Sequence, residues 1–249
     1  MSKIILIAVI TALFFSACAP PQKNDTPAAV TDTEILTENN TDSFSYIDKF
    51  IFLGESTTYH LKNRGVLSGG RETLQVWGPK SGTLLLDPNT SECRIIYPET
   101  KEELEFSEAL KRKKPEYLML TFGLNGATNF ISRGSSYFKH CYKNLIDTVK
   151  QNSKNTVIII NSCFPVAENM NMQNHTVTAK KLNEYIETLN VWAEEVALEN
   201  GAFYINTAST LKDENGFLKS EYQTSDGFHL NSAAYIKILE YINKNPVTK

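Results

Sequence analysis

The sequence predicts an α/β domain, a doubly wound sandwich around a central five-stranded parallel sheet. Three observations predict it. Short runs rich in apolar, β-branched and aromatic residues alternate with longer amphipathic stretches, the pattern of βαβ units. Those runs are apolar along their length, as strands covered by helices on both faces are. The residues with chemical character follow directly after the runs, where the carboxyl ends of parallel strands form ligand sites.

Taken in order, the first strand is Phe50 to Leu53, followed by a helix from Thr57 to Arg64. Thr73 to Val76 reads as the second strand and Lys101 to Lys113 as the next helix, whose basic end, Lys111-Arg112-Lys113-Lys114 before Pro115, complements a helix C-terminus. Strands at Tyr117 to Phe122, Val157 to Asn161 and Phe203 to Asn206 are separated by helices at Ser136 to Asn152 and Val177 to Asn200. A last helix runs from Ser232 to about Asn243. Within the fourth of these helices Leu182, Tyr185, Ile186, Leu189, Trp192, Ala193 and Val196 recur at helical spacing, so this stripe, Trp192 included, packs on the core. Five strands of this kind suit a flavodoxin-like sheet.

The N-terminal segment is of another kind. Met1-Ser2-Lys3 is a short basic start, and the apolar run Ile4 to Phe15 is too short to span a bilayer as an ordinary helix, so residues 1–17 read as a secretion signal. Phe15-Ser16-Ala17-Cys18 resembles the lipobox of bacterial lipoproteins, which implies lipidation of Cys18 and an extracytoplasmic protein anchored to the membrane through that lipid alone. Residues 18–43 are rich in Pro, Asn, Asp, Glu and Thr and cannot bury enough surface to offset their ordering entropy, so they read as a flexible tether. Residues 44–249 make one domain of ordinary size. With 25 basic and 28 acidic side chains nearly in balance, no surface suited to nucleic acid is expected.

Three cysteines remain besides Cys18, namely Cys93, Cys141 and Cys163; their odd number allows at most one disulfide and leaves the pairing open. Cys163, close behind an Ile-rich strand, reads as a small buried residue. No metal-ligand spacing and no phosphate-cradling glycine pattern occurs in a suitable context, so neither a metal nor an organic cofactor is expected.

Gly54-Glu55-Ser56 follows the first strand, and Asp226-Gly227-Phe228-His229 lies near the C-terminus. A serine is a poor nucleophile unless a base takes its proton; an imidazole can be that base and a carboxylate can orient it. Ser56 alone would be explained as a helix N-cap, but an Asp-x-x-His downstream points to Ser56 as nucleophile, His229 as base and Asp226 as the orienting carboxylate. With Gly123-Leu124-Asn125-Gly126 in the middle, these motifs make the domain similar to the SGNH, or GDSL-like, hydrolase family over nearly all of its folded part. The resemblance implies the SGNH hydrolase fold, ester hydrolysis through an acyl-enzyme, and an oxyanion hole made by the Ser56 N–H, the Asn125 amide and a glycine N–H after the second strand. For that glycine Gly82 is the first choice and Gly78 the second. Two departures stand out: Glu55 where the family usually has Asp, and Gly126 where Asp commonly follows the Asn.

The expected substrate is a small-molecule or glycan ester, with a short acyl group such as acetyl on a cell-envelope or extracellular glycan favoured. The sequence leaves open a lipase, lysophospholipase or thioesterase, acyl transfer in place of hydrolysis, and a surface lipoprotein that binds without turnover. His60 and His140 read as packing or surface residues. The polar segment Ala167 to Asn174, followed by His175, is expected to border the cleft. Arg64 and Arg71 are cationic candidates whose direction the sequence does not fix.

Overall fold

The computed structural model describes residues 45–171 and 177–247. Cys18, the signal and tether segments, and His175 lie outside the described residues. The strands are β1 (Phe50–Gly54), β2 (Val76–Trp77), β3 (Arg94–Ile96), β4 (Glu103–Glu105), β5 (Tyr117–Thr121), β6 (Val157–Asn161) and β7 (Phe203–Ile205). The α-helices are α1 (Ser56–Asn63), α2 (Phe106–Lys113), α3 (Ala127–Arg133), α4 (Ser135–Asn152), α5 (Ala179–Glu199) and α6 (Ser232–Lys244). Five strands form one parallel sheet in the order β2-β1-β5-β6-β7. Strands β3 and β4 pair with each other as a separate antiparallel hairpin.

Side-chain alternation along the central strands divides the core in two. Ile51, Leu53, Leu118, Leu120, Ile158 and Ile160 point to one face, where α2, α3, α4 and α5 cover them through Phe106, Phe130, Leu145 and Ile186. Phe50, Phe52, Met119, Val157 and Ile159 point to the other, against Leu61 of α1 and Tyr235, Ile238 and Ile242 of α6. Every residue of β1, β5 and β6 is buried, which is why these strands carry no polar alternation; each such side chain contributes about 1.5–3 kcal/mol by leaving water.

The departures from expectation have local causes. The second strand starts three residues late, after a 3₁₀ turn at Gly70–Glu72; the Gln75 side-chain amide just before it bonds the backbone oxygens of Ile47 and Phe50 at 2.6 and 3.2 Å. The expected helix from Lys101 begins only at Phe106: Glu103, Leu104 and Glu105 alternate with period two and pair with β3, where Arg94 lies within 4.0 Å of both glutamates. Helix α3, bounded by Gly126 and Gly134, was not anticipated. The three cysteines are free thiols, and Cys163 is buried as expected.

Candidate active site

β1 delivers the chain to its carboxyl end at Gly54, where α1 begins. No side chain fits at Gly54: a Cβ would sit 2.3 Å from both Thr121 O and Thr58 Oγ1. This close approach lets Glu55 N–H donate to Thr121 O at 3.3 Å and turns the chain sharply into the helix. Glu55 takes the N-cap position and Ser56 is the first helical residue, so the serine is not the cap. Its hydroxyl instead meets His229, with Ser56 Oγ 3.2 Å from Nε2.

The other half of the site is the loop before α6. Asp226 Oδ2 lies 2.7 Å from His229 Nδ1. Its Oδ1 accepts the N–H groups of Phe228 at 2.8 Å and His229 at 2.9 Å, and the Thr224 hydroxyl at 2.7 Å. Partial burial opposes ionisation of Asp226, but these hydrogen bonds, led by the one from the His229 ring, outweigh it and hold the carboxyl well below the usual carboxylate range. An ionised carboxylate can only accept, so Nδ1 carries the ring proton and Nε2 is the acceptor for the Ser56 hydroxyl. The arrangement can therefore take a proton from Ser56 and return it to a leaving group.

The loop is braced from behind. Gly227, at φ +67°, packs so closely that a Cβ would sit 2.7 Å from Met170 Cα. Ala167 N–H donates to Gly227 O at 2.8 Å and Asn171 N–H to Asp226 O at 2.9 Å. The segment after β6, expected to border the cleft, thus supports the Asp226–His229 loop. Beneath it a buried polar row crosses the sheet: Thr207 Oγ1 donates to Asn161 Oδ1 at 2.7 Å, and Asn161 Nδ2 donates to Thr121 Oγ1 at 3.3 Å.

Asn125 stands after β5, with its amide Nδ2 3.4 Å from Thr83 Oγ1. Glu55 ties this loop to the turn that carries Ser56. It is 2 % exposed; Oε1 accepts Gly123 N–H at 2.9 Å and Oε2 accepts Asn125 N–H at 3.0 Å. Gly82, the first choice for the third oxyanion donor, is poorly disposed for that role, because its N–H is given to Pro79 O at 2.9 Å in a turn beside the Tyr59 ring. Gly78 immediately follows β2.

His60, read as packing or surface, packs on His229, their ring centroids 4.6 Å apart. Burial, then the proximity of His229 and Arg64, lowers its pKa. His140 is on the surface. Arg64 donates from Nε to Leu230 O at 3.3 Å, directly after the His229 loop, and Arg71 is exposed. The contacts of His60 and Thr224 with the Asp226–His229 loop left no trace in the sequence, whereas an acidic residue between Gly54 and Ser56, directly behind an apolar strand, was a legible sign that a buried carboxylate needed partners there.

The sequence model of the GDSL-like Lipase/Acylhydrolase family matches residues 89–236. The chain belongs to this family. The matched stretch contains Asn125, Asp226 and His229 and begins after Ser56. Membership makes the protein an ester-hydrolysing enzyme. Its fold is that of solved members: it is similar to a GDSL-like lipase from Bacteroides thetaiotaomicron at 15% identity and TM-score 0.50, over 80% of this chain and 88% of that one. It is also similar to a candidate platelet activating factor from Streptococcus pneumonia, at 18% identity and TM-score 0.51, over 79% of this chain and 83% of the other. No curated protein matches the sequence significantly.

Proposed function

We propose that the enzyme cleaves short acyl esters, with acetyl groups on a glycan as the favoured class, through a covalent Ser56 acyl-enzyme. The observation that carries the mechanism is the continuous relay from Ser56 Oγ through His229 to Asp226, with contacts of 3.2 and 2.7 Å. His229 takes the Ser56 proton as Oγ attacks the ester carbon, then donates it to the departing alcohol oxygen as the C–O bond breaks. Water, deprotonated by the same imidazole, attacks the acyl carbon, and the carboxylic acid leaves as Oγ regains its proton. The negative charge on the tetrahedral oxygen is met by the Ser56 N–H, the Asn125 amide and the Gly78 N–H, with Gly78 replacing Gly82 in that role.

The short-acyl reading is supported by the polar neighbour of the Asn125 amide, the Thr83 hydroxyl 3.4 Å away. An acyl group of one or two carbons and a hydroxyl-rich alcohol suit such surroundings. On this reading Cys18 carries the lipid that keeps the enzyme at the envelope, and residues 18–43 let it reach its substrate. Comparing p-nitrophenyl acetate with p-nitrophenyl palmitate, and following acetate release from an acetylated polysaccharide, tests the substrate class. The expected result is turnover of the acetate esters; preference for the palmitate would replace this reading with the lipase one.

A further inference from the structure

We propose that Glu55 is a positioning residue: its buried carboxylate clamps the backbone of Gly123–Asn125 and so aims the Asn125 amide at the ester held on Ser56. The inference rests on the reading of Asn125 as an oxyanion donor. Three consecutive N–H groups converge on this side chain, those of Gly123 and Asn125 at 2.9 and 3.0 Å and that of Leu124 between them. Consecutive backbone N–H groups of this kind form a nest for an anion. The loop has little stiffness of its own, because Gly123 at φ +134° and Gly126 at φ +98° flank it. The chain just before it is held at Phe122, whose N–H and C=O both bond the Tyr142 hydroxyl at 3.1 and 3.2 Å. On the far side the Asn125 amide meets Thr83 Oγ1 at 3.4 Å and Ala127 N–H bonds Leu124 O at 3.3 Å, but the backbone N–H groups of the loop itself are held by Glu55, one residue from the nucleophile.

The chemistry of the contact selects this residue. A Gln would turn an NH₂ group toward one of the donors. An Asp keeps the two accepting oxygens and the charge but is shorter by one C–C bond, about 1.5 Å, and would hold the loop with less reach. Tyr142 on α4 and Cys163 behind β6 face Glu55, and burial first of all raises the pKa of each well above its usual value, so both stay uncharged. Burial likewise pushes Glu55 up to about 8 despite the amides that favour its charged form. The clamp therefore tightens as the carboxyl ionises, through about pH 8.

The test uses the full chain with p-nitrophenyl acetate and four variants: Glu55→Gln, Glu55→Asp, Asn125→Ala and the double variant Glu55→Gln/Asn125→Ala. Displacing a catalytic group by less than an ångström predicts a fall in kcat of roughly tenfold to a hundredfold for Glu55→Gln with KM little changed. Because Glu55 acts through Asn125, the same change in the Asn125→Ala background costs less than about twofold, and Glu55→Asp recovers part of the loss. The wild-type kcat rises through about pH 8, a rise absent from Glu55→Gln. Equal losses in both backgrounds, or an unchanged kcat, would overturn the proposal. NMR of the Gly123 and Asn125 amides reads the clamp without turnover: their shifts follow the Glu55 titration and move in Glu55→Gln, and silent amides would refute it. An enzyme inactive on every ester would bring down the hydrolytic reading, while the amide signals would still decide whether Glu55 holds the loop.

Discussion

Asp226 grips His229 twice, accepting its backbone N–H at 2.9 Å through Oδ1 and facing its ring Nδ1 at 2.7 Å through Oδ2. One carboxylate thus sets both the backbone turn that presents the imidazole and the tautomer that leaves Nε2 free for Ser56. Asp226→Asn would put an amide NH₂ or a lone neutral oxygen against Nδ1 and favour the wrong tautomer. The expected loss is on the order of 10⁴ in kcat, measured with p-nitrophenyl acetate.

The same carboxylate has a stability signature. Folding lowers the Asp226 pKa, so its contribution is present above the unfolded value near 3.8 and is lost as the pH falls through the lower folded value. Thermal melts of wild type and Asp226→Asn should therefore differ at neutral pH and converge toward strong acid. A constant offset across the range would show that the charge of Asp226 adds nothing.

Glu55 has the opposite sign. Burial raises its pKa from 4.5 to about 8, so its contribution to stability is fully present below about 4.5 and is lost as the pH rises through about 8. The melting temperature of the wild type should fall across this window relative to that of Glu55→Gln, even as kcat rises. Stability and activity trade against each other at one buried carboxyl.

Asn125→Ala removes the amide proposed as an oxyanion donor and leaves the Glu55 contacts to the loop backbone in place. A fall in kcat of about 10²–10³ with little change in KM is expected. A rise in KM alone would mean that the amide binds the ester equally in ground and transition states.

Gly54→Ala tests the turn itself. Its new methyl group would meet the β5 backbone at Thr121 O, 2.3 Å away, and a main-chain carbonyl in a central strand has little room to retreat. A loss of about 1–3 kcal/mol is expected from denaturant unfolding, with activity lost more than stability because the strain falls between β1 and Ser56.

The parts of this architecture that could be read from sequence are those whose signal is local. β1, β5 and β6 are apolar runs buried on both faces, and Ser56, Asp226 and His229 are marked by residue types that the geometry brings together. The β3–β4 hairpin was hidden because the three alternating residues Glu103, Leu104 and Glu105 run straight into the helical pattern that starts at Phe106. The Gly82 N–H is taken by a backbone acceptor, Pro79 O, that no residue type announces. His60 reaches His229 only because α1 and the loop before α6 meet in space, a contact spanning most of the domain.

The central claim is that Ser56 is the nucleophile. The most direct measurement is labelling of the full chain with a fluorophosphonate probe, with the adduct located by peptide mass spectrometry and turnover of p-nitrophenyl acetate followed in wild type and Ser56→Ala. The account predicts a single adduct on Ser56, and in the variant a folded protein without labelling whose kcat is down by at least about a thousandfold. An adduct elsewhere, or a Ser56→Ala variant that hydrolyses the ester at the wild-type rate, would contradict it.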